Sequence, residues 1–174
     1  MGFDTDREDI FDRLVEFIQK SAIPIAMVGL LQAMPGTQLF RRLSREGRIL
    51  HDGEGNNTAG ELNFLPRMNP ERLVEGYRSV LRRIYACDAY YERVRDYLNR
   101  CRPHYRPHIS FGNIRALCLS VLRQGIRGKA RLSYWKFLLS AATRYRRSFG
   151  AAMTLAVMGY HFQVITKRLS QGGV

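Results

Sequence analysis

Between Thr5 and Ala22 the apolar residues Ile10, Phe11, Leu14, Phe17 and Ile18 recur at three- and four-residue spacing, which predicts one amphipathic helix. Thr5 with Glu8 three residues on reads as a capping box for it. Asp6, Glu8 and Asp9 suit the positive end of the helix dipole, Lys20 suits the other end, and Ile23-Pro24 stops the helix. The pattern then changes. Residues 25–31, "IAMVGLL", are apolar without alternation, as in a strand buried on both faces of a helix-covered parallel sheet. Met1 to Asp4 read as the tail of a preceding strand. Thr37 caps a further helix, "QLFRRLSREG", that closes with Gly47 at C′. Strand, helix, strand and helix make one βαβα unit.

Residues 48–70 are rich in Gly, Asn, Asp and Pro, as expected of a lid, a binding loop or a domain connection. From Pro70 onward the spacing is helical to the end. Pro70 sits in the first turn of "PERLVEGYRSVLRRIYA", whose Leu73, Tyr77, Leu81 and Ile84 share a face. "DAYYERVRDYLNRC" follows with Asp88 as its cap. "NIRALCLSVLRQG" ends at Gly125, and "LSYWKFLLSAATRYR" and "AAMTLAVMGYHFQVITKRL" complete the set. The expected fold class is α+β, mostly α. A βαβα segment occupies 1–50, a connection 51–70 and a basic helical domain 71–174.

Composition narrows the setting. The chain has 174 residues, 45% of them hydrophobic and 25% charged, enough for an ordinary globular core. Cys87, Cys101 and Cys118 are odd in number and widely spaced, which fits a reducing cytoplasm better than a disulfide framework. Residues 1–9 are acidic, so no secretory leader is expected there. The apolar run "AAMTLAVMGYHF" is too short to span a bilayer. The net charge of +13 is concentrated: residues 97–174 hold 14 Lys+Arg and no Asp or Glu. Such a block attracts phosphate, anionic lipid or an acidic partner, although 24 of the 28 basic residues are Arg, as a GC-rich genome also produces. Weak contact of the C-terminal helices with an anionic membrane or with nucleic acid is one expectation, and a cytoplasmic location, peripheral at the inner membrane, goes with it.

Candidate chemistry is sparse. Cys101-x2-His104-x3-His108 lacks a fourth zinc ligand, and Pro103 and Pro107 keep the histidines off one helical face, so it reads as a linker. His161, on an apolar helix, reads as a core histidine. Tyr90-Tyr91 and the other aromatics interleave with arginines, yet their helical spacing favours inward packing over a base-stacking surface. Gly53-x-Gly55 with Gly60 lacks the strand and helix a phosphate loop needs. Asn56-Asn57-Thr58 is a glycosylation sequon that a cytosolic chain would not use. No nucleophile–base arrangement and no acid–base carboxylate pair stands out.

"GFDTD", "MPGTQLF" and "NNTxGxLNFxPxM", in that order, with the closing "AVMGYHF", resemble the C-terminal part of cobalamin-binding-type radical SAM enzymes. The resemblance implies the end of a partial TIM barrel followed by a helical domain of undefined role. Met1 to Asp4 would end its fifth strand and 25–31 would be the sixth. It implies that Asp4, Asp6, Leu31, Gln32 and Pro35 lie near the adenosyl group of S-adenosylmethionine at the carboxyl edge of the strands. The alternative is that Asp4 and Asp6 only cap the following helix. The parent family uses S-adenosylmethionine, a [4Fe–4S] cluster held by CxxxCxxC, and cobalamin. The three cysteines here lack that spacing, so no cofactor is expected to be bound by this chain alone, and no catalytic or metal-binding residue is assigned. The expected role is to close the barrel and shape its substrate side, with the remainder of the barrel, from the same gene or a separate chain, as partner. The alternative role is a basic helical module on nucleic acid or an anionic membrane surface.

Overall fold

The computed structural model describes residues 1–53, 55, 61–101, 111–126, 128 and 131–170. Seven α-helices occur among them: α1 Ile10–Lys20, α2 Gln38–Arg45, α3 Pro70–Ile84, α4 Cys87–Cys101, α5 Phe111–Ser120, α6 Arg131–Thr143 and α7 Phe149–Ser170. A π turn, Val121–Ile126, follows α5, and a 3-10 turn, Arg146–Ser148, precedes α7. The chain divides into two compact units. The first is Met1–Glu16, Met27–Arg82 and Lys167–Val174; the second is Phe17–Ala26 and Arg83–Thr166.

The mostly helical expectation holds, but the βαβα unit does not. No strand forms among the described residues, and residues 25–31 and Met1 to Asp4 carry no regular secondary structure. A single antiparallel bridge joins Ile49 and Phe64. Two hydrogen bonds nevertheless tie the two expected strands: the Met1 amine donates to the Gly29 carbonyl (3.0 Å) and Leu31 N–H donates to the Met1 carbonyl (2.7 Å). One residue bonded on both sides of the residue opposite is the parallel ladder pattern. One rung does not make a strand, because a ladder extends only where successive residues find partners. The backbone at the two ends of the run is satisfied by side chains instead. In the second unit the Tyr85 hydroxyl accepts from Ala26 N–H (3.3 Å) and donates to its carbonyl (2.8 Å). In the first unit Asn63 does the same for Ala33, as described below.

The helix signals fared unevenly. The Thr37 hydroxyl accepts from Phe40 N–H (3.1 Å) and opens α2 as expected. Gly47, at φ +67°, closes it: Gly47 N–H bonds to the Ser44 carbonyl and Arg48 N–H to the Leu43 carbonyl, a Schellman end. Asn69 caps α3 by accepting from Arg72 N–H (2.9 Å), and Leu73, Tyr77, Leu81 and Ile84 are all buried. By contrast α1 begins at Ile10, not behind Thr5. Residues ahead of it form turns, and Glu8 pairs with Arg72 (3.1 Å) instead of completing a capping box. Asp88 lies inside the first turn of α4, not at its cap, and accepts from the Ser133 hydroxyl.

Leu30, Ala33, Leu43, Phe64, Leu73 and Tyr77 are buried in the first unit. The second is built on aromatics. Tyr90 and Tyr91 are buried as expected, Tyr91 stacks on Phe137 at 4.7 Å between centroids, and the Tyr90 hydroxyl donates to the Leu155 carbonyl (2.6 Å). Gln124 is buried and saturated: it accepts from Tyr91 (2.6 Å) and donates to Ser120 (2.9 Å) and to the Ala156 carbonyl (3.3 Å). His161 corrects the core assignment made from its apolar neighbours, because it is exposed and meets Phe162 edge-on. His104, His108, Gly60 and the Asn56-Asn57-Thr58 sequon lie outside the described residues.

Candidate functional site

The residues singled out at the amino end share the first unit, where Asn63 is bonded to Ala33 and Leu31 to Met1. The site grows from two hydrogen-bonded anchors. Asn63 is fully buried; its Oδ1 accepts from Ala33 N–H (2.9 Å) and its Nδ2 donates to the Ala33 carbonyl (2.7 Å) and, more weakly, to the His51 carbonyl (3.4 Å). A side-chain amide thus takes the place of a neighbouring strand at Ala33. Leu50 N–H bonds to the Asn63 carbonyl and Leu65 N–H to that of Arg48, which pairs residues 48–50 with 63–65 around the Ile49–Phe64 bridge. Gly53 has to be glycine here, since a Cβ would stand 2.8 Å from Asn63 Nδ2 and 3.2 Å from the Ala33 carbonyl oxygen.

The second anchor is Asp4. Arg48 reaches both its oxygens, Nη2 to Oδ1 at 2.8 Å and Nη1 to Oδ2 at 3.3 Å, and Arg42 Nη2 reaches Oδ2 at 2.9 Å. Arg67 adds a longer contact of 3.9 Å. The Arg48 hydrogen bond, helped by the neighbouring arginine charges against the cost of burial, holds this carboxyl below its ordinary range. Arg48 is raised in turn by Asp4 and then Glu46, and its Nε donates to the Leu65 carbonyl (2.7 Å). Asp6 does not cap α1 either. Its Oδ2 accepts from the N–H of Gly2 (2.8 Å) and Phe3 (3.1 Å), closing a local turn. Both carboxylates are thus engaged in holding the amino-terminal turn. Leu31 is half-buried and packs on the Ala33, Leu43 and Phe64 cluster, Gln32 is half-buried, and Pro35 is exposed at the turn that leads into α2.

The second unit carries a cleft of about 640 Å³ whose lining includes Gln19, Arg93, Asn99, Arg144 and Tyr145. Arg93 is 1% exposed; it donates to Gln19 Oε1 and to the Pro24 carbonyl and lies 5.4 Å from the Tyr90 ring centre. Burial lowers its pKa, yet a guanidinium stays charged at any ordinary pH. Neither Asn63 nor Arg93 was singled out from sequence. Asn63 lay inside the "LNF" string without a role, and Arg93 had no signal at all. Among the described residues no three His, Cys, Asp or Glu gather as metal ligands, and no helix is long and apolar enough to cross a membrane.

Comparison with known proteins adds a family. The chain is 30% identical to the hopanoid C-2 methylase of Rhodopseudomonas palustris over 99% of its length. It is 29% identical to the uncharacterized methyltransferase sll1242 of Synechocystis sp. over 93%. It covers 33% and 31% of those proteins, and so spans about a third of the length of the curated relatives it matches. No solved structure matches it. The family described as a domain of unknown function, DUF4070, matches residues 37–173, and the chain belongs to that family.

Proposed function

We propose that this chain forms one third of a radical SAM methylase, supplying the last part of the catalytic barrel and the helical domain that shapes its substrate side. The observation that carries the reading is the Met1 pairing with Gly29 and Leu31. This single parallel rung supports the side-by-side arrangement that the expected fifth and sixth barrel strands need. The methyltransferase names of both relatives support the reaction class.

Proteins of the type it resembles draw methyl and redox chemistry from S-adenosylmethionine, an iron–sulfur cluster and cobalamin. The cluster does not fit this chain: Cys87 is half-buried, Cys101 and Cys118 are exposed, and all three are free and ungathered. An adenosyl group fits better. Half-buried Leu31 offers an apolar wall and half-buried Gln32 a polar one, ahead of the exposed turn at Pro35, while Asp4 and Asp6 fix the amino-terminal turn and thereby act as positioning residues.

The test is a chimaera in which these 174 residues replace the matching third of the hopanoid C-2 methylase. The reading expects the purified chimaera to keep its iron and sulfide, to cleave S-adenosylmethionine and to methylate the methylase's substrate. A chimaera with full iron that fails to bind S-adenosylmethionine overturns it.

A further inference from the structure

We propose that the outer face of α6, with the π turn beside it, is a docking surface for an anionic lipid bilayer. This inference does not depend on the methylase reading. The sequence of α6, "RLSYWKFLLSAAT", carries apolar side chains on two faces, and a helix of that kind ordinarily has both covered. Only one is. Tyr134, Phe137 and Ala141 are buried, whereas Leu132 (71% exposed), Trp135 (45%) and Leu139 (66%) face outward. At about 100° per residue these three fall within an arc of about 60°, and the exposed Arg131 and Lys136 sit on either side of it. The π turn extends the patch. The Trp135 indole donates to the Gly125 carbonyl (3.0 Å), and Leu122 and Ile126 of the same turn are exposed together with Arg123.

Aliphatic side chains around a tryptophan, rimmed by Lys and Arg, are the composition of a helix lying in a membrane interface. Charge complementarity selects the occupant. Residues 97–174 contain no Asp or Glu, and the charged side chains flanking this face are Arg131, Lys136 and Arg123, so two copies meeting at it would bring cations together, whereas anionic headgroups would neutralise them. Nucleic acid fits less well. Tyr90, Tyr91, Tyr134 and Phe137 are buried, which leaves Trp135 as the aromatic ring this patch offers for stacking.

Trp135 is the chain's single tryptophan and therefore reports on this surface alone. The full chain is mixed with vesicles of equal parts phosphatidylcholine and phosphatidylglycerol, with and without bromine on the acyl chains. The proposal expects a blue-shifted emission, quenching by the brominated lipid, and loss of both as salt is raised. Leu132→Asp with Leu139→Asp should weaken vesicle binding at least about tenfold. Their exposure should leave the circular dichroism unchanged. Arg131→Gln with Lys136→Gln, which leaves the apolar face intact, should weaken it by a smaller factor and flatten the salt dependence. An unquenched Trp135 with these vesicles overturns the proposal. So does self-association that buries Trp135 without lipid, or RNA binding in place of vesicle binding.

Discussion

Replacing Asn63 by alanine removes the group that completes the backbone of Ala33. Asn63 and Ala33 are both fully buried, and the bonds between them are 2.9 and 2.7 Å. The change orphans one buried N–H and one buried C=O, each worth about 1–3 kcal/mol, so a loss of about 2–6 kcal/mol is expected. That is a large share of the ~5–15 kcal/mol that holds a domain folded. Asn63→Asp separates the two bonds. Its first oxygen still accepts from Ala33 N–H, but the second faces the Ala33 carbonyl without a proton to donate. The buried aspartate therefore has a raised folded-state pKa. Its contribution is fully present below the unfolded value of about 3.9 and is lost as pH rises through the folded one. Urea midpoints measured from acid to neutral pH should show Asn63→Asp approaching wild type in acid and falling away toward neutrality, with Asn63→Ala as the pH-flat reference. Amide exchange read on the peptide containing Ala33 should accelerate in both variants at neutral pH. An Asn63→Ala midpoint within about 0.5 kcal/mol of wild type, with unchanged exchange at Ala33, would refute the reasoning.

Further outcomes follow from the packing and the ionisable groups. Gly159→Ala would place a Cβ 2.2 Å from the Tyr90 ring, which its bond to Leu155 holds in place, and should cost about 1–3 kcal/mol by thermal unfolding. Gly47→Ala meets nothing within 4 Å and should cost only the positive-φ strain, about 1 kcal/mol. Asp4→Asn should destabilise by about 1 kcal/mol at neutral pH, measured by urea unfolding. Because the folded-state pKa of Asp4 is depressed, its stabilisation is present above the unfolded value and fades as pH falls through the folded one, so the gap between Asp4→Asn and wild type should close in acid. Burial pushes the Tyr90 and Tyr91 hydroxyls well above their ordinary value. Stability should therefore fall as pH rises past about 10, and absorbance at alkaline pH should show Tyr90 and Tyr91 among the tyrosines that ionise only with unfolding.

The helices with local signals were legible in the sequence. Thr37 and Gly47 bound α2, and Leu73, Tyr77, Leu81 and Ile84 mark the buried face of α3, because a cap or a stripe acts within a few residues of itself. The strand was not legible for the complementary reason. An apolar run becomes a strand only if other chain segments pair with it, and here the Tyr85 hydroxyl and the Asn63 amide occupy the backbone at Ala26 and Ala33 from 59 and 30 residues away. Neither bond leaves a periodic trace. Acidic residues ahead of α1 looked like a capping box, but Asp6 turns back to Gly2 and Phe3. His161 was misjudged because "GYHF" is apolar on every side, while Ala152, Ala156 and Gly159 fix the inward face of α7 and leave Thr154, Val157, Met158 and His161 outward. Of the five residues expected at the site, Asp4 proved to be held by arginines and Asp6 by backbone amides, while Leu31 and Gln32 are half-buried and Pro35 exposed.

Residues 31–35 can be probed in the chimaera by irradiating bound, radiolabelled S-adenosylmethionine and mapping the label by tryptic digestion. The account predicts label in the peptide spanning residues 21–41, which contains Leu31, Gln32 and Pro35. Label confined to the methylase's own upstream portion, with none in that peptide, would contradict it.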